Sequence, residues 1–504
     1  MSSIPSRAPR AHHPKRRRAS RSAAHLLLAL LLSACATLAG ALPAAAEEPA
    51  DIIETRTMAN GLEVIVIPDP SLPIITVEIA VKNGAFTETP ELNGLSHLYE
   101  HMFFKANAVI PNQKAYMARL RELGIVFNGT TSSERVNYFF TLPSANLQAG
   151  MEFMYNAITS TKFDPDEFER EKQVVIGEVD RNESSPYYWF GQAVNAKLWA
   201  KYPSRKDSLG DREAVTNATV QQMQTMKDRY YVPNNSTLLL AGDVTPEQAF
   251  EMAEAIFGTW ERGEDPFVKW PIPEHPPLEN NSYLVVERDI KVPYVQFSWH
   301  GPSVTVDPKG TYAADVLSFI LSQPTSGFQK RLVESGLTLG AGLSYYTQAH
   351  TGPINLAAQI PAENIDDALR AMLLEVHKLG NPEYFSDAQL QNAKTILEVQ
   401  DTYGREKISS FAHTVSFWWA TAGLDYYLNY IDNLNAVTRE DIANYVRTYI
   451  LDKPYVMGVL LSPEQKKELG LSDAALAEKV EKIQKEIAKD AKNTQVSEES
   501  HENQ

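Results

Sequence analysis

Gly94–Lys105, GLSHLYEHMFFK, is the stretch on which the reading of this chain turns. Leu95, Leu98, Tyr99, Met102 and Phe103 recur at helical spacing and predict one apolar face. His97, Glu100, His101 and Phe104 fall on the adjacent face by the same spacing. Residues four apart on a helix lie one turn above each other, so two imidazoles placed there can both reach one zinc ion. Glu100, one residue before the second histidine, is placed to hold and deprotonate a water whose pKa zinc lowers towards about 7. A histidine pair at this spacing is by itself more often a polar helix surface, so a third ligand is required.

A source for that ligand lies downstream. Asp164-Pro165-Asp166-Glu167 is a helix start: a capping aspartate, proline in the first turn, then carboxylates. The helix is expected to run through FEREKQVVIGEVDR. Glu171 and Glu178 are seven apart, two turns, and share a face. One can serve as ligand and the other as its support. Spacing alone does not separate this from a solvated face.

Outward from these segments the chain divides. Residues 263–281, GEDPFVKWPIPEHPPLENN, contain five prolines and resist both helix and central strand, which predicts a linker. The parts on either side look like repeats. Val215–Gln248 and Val437–Gln465 each read as a Val-Thr helix start, a helix ending near tyrosine, an apolar strand, then Thr/Ser-Pro-Glu-Gln opening another helix. Leu62–Ile67 with Ile74–Val81, and Tyr283–Glu287 with Pro293–His300, read as apolar strand pairs opening each half. The expected fold class is α+β: two homologous αβ domains, each a sheet covered by helices, joined by the Pro-rich linker. The expected boundaries are 1–46 signal, 47–262 first domain, 263–281 linker, 282–491 second domain and 492–504 a disordered polar tail.

Composition narrows the function. The 504 residues are 43% hydrophobic and 22% charged, with formal net charge −16. Residues 1–46 hold seven basic and no acidic side chains; without them 40 basic stand against 63 acidic. Such an acidic body argues against nucleic acid or anionic membrane as partner and suits basic peptides. The basic stretch to Arg21, the apolar run Leu26–Leu42 and Pro43 with Ala44, Ala45 and Ala46 form the three parts of an export signal. A periplasmic or secreted location is expected. Leu32-Ser33-Ala34-Cys35 also resembles a lipoprotein box, and Cys35 is the only cysteine, so anchoring through Cys35 is the alternative. Cleavage after Ala46 leaves no cysteine and no disulfide.

HLYEH is itself the inverted His-x-x-Glu-His order of zinc peptidases. Together with REKQVVIGEVDR, YYVPNNSTLLLAGDV and the duplicated domain, it resembles the pitrilysin family, which includes insulysin and the mitochondrial processing peptidase. The resemblance covers nearly the whole chain after the signal and is strongest to the two-domain branch, whose subunits form half of a clamshell chamber. It implies one zinc ion per chain and a third ligand separated from the motif by 76 residues. Here residues 102–177 fill that interval, which puts Glu178 in the ligand position and Glu171 in that of the family's supporting glutamate.

The resemblance also implies a substrate strand. In GIVFNGTTSSERVNY, Gly124–Tyr138, it places Asn128, Gly129 and Thr130 where the family offers a sheet edge to an extended peptide. Without it, Asn-Gly reads as a turn. The second half departs from the family in the substrate-binding Arg followed seven residues later by Tyr: Arg331 is present, but the seventh position is Thr338. Tyr345 and Tyr346 are displaced along the chain. The second half offers Asp315 but no metal motif, and His275, His300, His350, His377, His413 and His501 read as isolated structural or surface residues. The expectation is a zinc metalloendopeptidase acting on peptides or unfolded segments, as the zinc-bearing chain of a heterodimer, rather than a homodimer, whose paralogous subunit supplies Arg and Tyr. The rival is a non-catalytic structural or peptide-binding subunit of a larger assembly.

Overall fold

Two sheets with matching strand order carry the molecule, and the most apolar strand of each lies near its middle. The structure, a computed structural model, describes residues 52–502. The proposed signal segment and Cys35 lie outside the described residues. The first half contributes β1 (Glu54–Thr57), β2 (Glu63–Pro68), β3 (Ile74–Val81), β4 (Val126–Thr131), β5 (Val136–Pro143) and β6 (Ser236–Gly242), in the order β1-β2-β6-β3-β5-β4. The second contributes β7 (Ser282–Glu287), β8 (Tyr294–His300), β9 (Gly340–Tyr345), β10 (Pro353–Gln359) and β11 (Val456–Leu461), in the order β7-β11-β8-β10-β9.

The expected strand pairs are corrected here. β2 and β3 are not neighbours: β6 runs between them, parallel to β2 and antiparallel to β3. β11 separates β7 from β8 in the same way. The reason is burial. Every residue of β6 and of β11 is buried, so the late strand takes the position covered on both faces. β4 and β9 are left at the edges.

The principal helices of the first half are α1 (Leu95–Phe103), α2 (Gln113–Leu123), α3 (Leu147–Thr159), α4 (Pro165–Glu183), α5 (Pro186–Leu198), α6 (Val220–Tyr230) and α7 (Pro246–Phe257). Those of the second half are α8 (Pro308–Ser322), α9 (Ile365–Lys378), α10 (Asp387–Gly404), α11 (Ile408–Thr421), α12 (Arg439–Tyr449) and α13 (Asp473–Glu502). The repeat register shifts slightly from the sequence reading. The equivalent N-caps are Thr219 of α6 and Thr438 of α12, both in capping boxes. Val215-Thr216 instead closes the short helix Arg212–Asn217. The expected disordered tail is also corrected: α13 continues to Glu502. Extending a helix already anchored by Leu476, Val480, Ile483 and Ile487 costs far less than starting one.

Alternation along the strands divides each sheet into two apolar faces. On the first sheet, Val64, Val66, Val77, Ile79, Leu238 and Leu240 face α1 and its neighbours. The opposite face, with Ile65, Ile67, Ala80, Leu239 and Ala241, is covered by Phe411, Ala412, Val415 and Trp419 on α11 of the second half. The exchange is reciprocal. Phe190, Val194 and Leu198 of α5, with Trp199, cover Leu284, Val456 and Leu460 of the second sheet. Gly458 lets α5 approach closely, since a Cβ there would meet the Phe190 ring at 2.7 Å. The division at the linker does not anticipate this exchange, in which each half completes the other. Among the described residues, no helix is long and apolar enough to cross a membrane.

Candidate metal centre

The apolar stripe read from the sequence is the buried face of α1: Leu95, Leu98, Tyr99, Met102 and Phe103 are fully buried. That fixes the helix's rotation and leaves His97, Glu100 and His101 half-buried on the adjoining face. The helix begins at Gly94, whose φ of +99° is left-handed and suits glycine. Glu88 caps this end. Its carboxylate accepts from the Gly94 N–H at 2.8 Å, the Ser96 N–H at 2.7 Å and the Asn93 side-chain amide at 3.2 Å. A helix N-terminus favours a negative group, but burial pushes the Glu88 carboxyl up to about 7. Sequence reasoning missed Glu88. It lies six residues before Gly94, outside any capping-box spacing.

The structure brings the three expected ligands together. One atom each from His97, His101 and Glu178 lie within 4.8 Å of one another. The two Nε2 atoms are 3.3 Å apart, and Glu178 oxygens lie 3.5 Å from His97 Nε2 and 3.9 Å from His101 Nε2. Each ring's other nitrogen is engaged. His97 Nδ1 is 3.2 Å from the Leu209 carbonyl, and His101 Nδ1 is 2.8 Å from Glu171 Oε1. Both acceptors call for a proton on Nδ1, which leaves two Nε2 lone pairs converging with a carboxylate. A proton or a metal cation among them relieves the repulsion of three electron-pair donors so placed, and two imidazoles with a carboxylate are a donor set that suits zinc.

Glu171, expected as the supporting glutamate, lies against His101. Its second oxygen is 2.7 Å from Lys105 Nζ, and both residues are buried. Burial alone would raise the Glu171 carboxyl, but His101 and Lys105 outweigh it and hold the group below its ordinary range. For His101, burial opposes the charge, while Glu171, Glu178 and Glu100 overcome it and raise the pKa. Lys105, four residues beyond His101 and just past the end of α1, is Glu171's partner, a pairing that the sequence does not reveal.

Glu100 faces β4. Thr131 Oγ1 donates to its Oε2 at 2.7 Å. Gly129 stands so close that a Cβ would lie 2.8 Å from Glu100 Cγ. Asn128, Gly129 and Thr130 lie inside β4, the edge strand of the first sheet, so Asn-Gly is extended chain here and not a turn. The Thr130 hydroxyl donates to Asn137 Oδ1 on β5. Arg331 is engaged within the second half: its guanidinium pairs with both oxygens of Glu375, at 2.5 and 2.6 Å, and reaches the Tyr384 hydroxyl at 3.2 Å. Thr338 is buried and donates its hydroxyl to the Leu332 carbonyl at 2.9 Å. Tyr345 donates to the Pro302 carbonyl at 2.9 Å. Asp315 accepts from the Tyr430 hydroxyl at 2.8 Å, and burial raises its carboxyl to about 7.

Three of the histidines read as isolated are neighbours. The His275 and His300 rings lie 4.7 and 4.5 Å from the Trp199 ring, and His350 packs on Phe86 at 5.4 Å. His413 pairs with the buried Glu78.

Comparison with known proteins matches both halves of the chain to one family. Residues 63–212 match the family described as insulinase (peptidase family M16), and residues 217–397 match the peptidase M16 inactive domain. The zinc protease PqqE of Helicobacter pylori is 26% identical over 336 residues, 64% of this chain and 74% of its own. The probable mitochondrial-processing peptidase subunit beta of Arabidopsis thaliana is 23% identical over 431 residues, 81% of this chain and 78% of its own. A crystal structure of a Helicobacter pylori protease superposes with a TM-score of 0.73 at 22% identity, over 81% of this chain and 99% of that one.

Proposed function

Because the chain belongs to the insulinase family, peptidase family M16, we propose that it is a zinc metalloendopeptidase that cleaves peptides or unfolded protein segments. The observation that carries this reading is the convergence of His97, His101 and Glu178 within 4.8 Å, with Glu100 on the same helix face. His97, His101 and Glu178 would hold one zinc ion, which would supply Lewis-acid polarisation to the scissile carbonyl and to a water. Glu100 takes the proton of the attacking water and delivers it to the leaving amine. Thr131 orients the Glu100 carboxylate by donating to Oε2 and leaving Oε1 to the water. Glu171 and the Leu209 carbonyl hold the two imidazoles with Nε2 inward.

Substrate binds as an added strand on β4. A free edge offers backbone hydrogen bonds with little demand on side chains, which suits varied extended segments. Such a site, in half of a clamshell chamber, favours unfolded chains over folded proteins.

The zinc-bearing chain acts with a paralogous subunit that contributes an arginine and a tyrosine to the substrate. Arg331 is committed to Glu375, and Thr338 spends its hydroxyl on a backbone carbonyl. Neither is free to stabilise an oxyanion, and one missing donor costs roughly 10²–10³ in rate. The amino-terminal segment directs the chain to the periplasm or exterior, with anchoring through Cys35 as the alternative route. Elemental analysis and casein hydrolysis, with and without a co-expressed paralogue, test the proposal. One zinc per chain with activity that rises on pairing supports it; a zinc-free chain refutes the metal centre, and full activity alone refutes the pairing.

A further inference from the structure

The loop that holds His97 is itself held by the second half. Leu209, whose carbonyl faces His97 Nδ1, sits in residues 203–211. This loop rests on the start of α1. Asn93 donates to the Ser204 and Asp207 carbonyls at 3.1 and 2.9 Å. Gly210 packs against Gly94 so tightly that a Cβ on it would lie 2.3 Å from the Gly94 Cα. Asp207 Oδ1 accepts from the Leu209 N–H at 3.1 Å and fixes the turn that presents the carbonyl.

Lys206, next to Asp207, reaches past the Trp199 ring, 4.5 Å from its ammonium, into the second half. Its ammonium donates to the Gln348 side chain, to the His350 carbonyl at 2.6 Å and to the Thr351 carbonyl at 2.8 Å. These acceptors form the tip of the β9–β10 hairpin, residues 346–352. The same tip is also held by Glu134, which accepts from the Ala349 N–H at 2.6 Å and the His350 N–H at 2.9 Å. Glu134 lies in the turn between β4 and β5, three residues after Thr131, which orients Glu100. One tip therefore joins the loop behind His97 to the hairpin behind Glu100. Thr351 holds φ at +45°, a conformation that non-glycine residues adopt at a cost and keep only where their surroundings enforce it.

We propose that the hairpin tip 346–352 is a positioning device for the metal centre, with Lys206 as the positioning residue through which the second half sets His97. Lys206 touches neither metal nor substrate. It anchors Asp207 and, through the Asp207 turn, the Leu209 carbonyl that orients the His97 ring. Ligand-orienting groups of this kind typically change metal affinity 10–100-fold. The inference rests on the zinc-site reading above and makes the second domain, which contains no metal motif, part of the metal site's affinity.

The test uses the full chain and the metal alone. Apparent zinc affinity is measured by competition with a chromophoric chelator, and ligand geometry by the visible absorption of the cobalt(II)-loaded chain. Lys206→Met is expected to weaken zinc binding about tenfold or more and to alter the cobalt spectrum. Lys206→Arg, which keeps a cationic donor, is expected to recover most of that loss. Should Lys206→Met not fold, Gln348→Ala gives the reading from the other side: it removes one acceptor and leaves the first half unchanged, and a several-fold loss is expected. Zinc affinity within twofold of wild type in the folded variants, with an unchanged cobalt spectrum, would overturn the inference. A wild-type chain that binds neither metal would instead overturn the zinc-site reading.

Discussion

His101 Nδ1 stands 2.8 Å from Glu171 Oε1, and the same carboxylate is tied at its other oxygen to Lys105, four residues on and just past the end of α1. The carboxylate against His101 is thus itself fixed by the segment that follows His101's own helix. Glu171→Gln is expected to weaken zinc binding 10–100-fold, because an amide holds the His101 tautomer less firmly and no longer pairs with Lys105. Chelator competition at neutral pH reads this directly. Wild-type affinity in the variant would mean that Glu171 is only structural.

A second prediction concerns the exchanged helices. Trp419 of α11 is 4% exposed against the first sheet, donates its indole N–H to Glu63 at 2.6 Å and lies under Lys82. Trp419→Ala is expected to cost roughly 3–5 kcal/mol, seen as a lower denaturant midpoint. Residues 52–262 expressed alone should not give a stable monomer, because Ile65, Ile67 and Leu239 would face water.

Acid should act through Glu78. Burial raises this carboxyl, but the His413 hydrogen bond and charge, Arg135 and Ser416 outweigh it and hold the group below the ordinary 4.5. A depressed folded-state pKa stabilises the fold above the unfolded value, and that stability is lost as pH falls through the folded one. The melting temperature of Glu78→Gln is therefore expected to lie below wild type at pH 7, with the gap narrowing below pH 4.5. A gap independent of pH would contradict this.

Strand addition on β4 makes a prediction about substrate. Replacing single backbone N–H groups of a good peptide substrate by N-methyl should lower kcat/KM at alternate positions only. Each lost hydrogen bond is worth about 1 kcal/mol, several-fold in rate. Equal effects at all positions, or none, would contradict edge pairing.

Much of this was legible because the residues concerned sit on regular elements. The period of Leu95, Leu98 and Met102 gave the orientation of α1, and with it the side on which His97, Glu100 and His101 emerge. Asp164 and Pro165 marked the start of the helix that carries Glu171 and Glu178. What stayed hidden depends on contacts far apart in sequence. The insertion of β6 between β2 and β3 is set by which strand is buried on both faces, and neighbouring strands in sequence do not reveal it. The exchange of α5 and α11 requires knowing that each sheet's second face is apolar and uncovered by its own half. Glu88, Leu209 and Lys206 act through backbone groups, and a backbone carbonyl has no signature in side-chain spacing. The Asn128-Gly129 pair reads locally as a turn and becomes strand only because β5 pairs with it and Glu100 needs the space that a glycine leaves.

The central claim is that Glu100 is the base of a zinc-dependent hydrolysis, and one variant tests it most directly. Glu100→Gln, purified in the same way as wild type, is assayed in parallel for bound zinc and for peptide hydrolysis. The account predicts one zinc per chain, as in wild type, with hydrolysis reduced about a thousandfold, within the roughly 10²–10⁴-fold that a positioned proton-transfer group supplies. Hydrolysis near the wild-type rate by the zinc-loaded variant would contradict it.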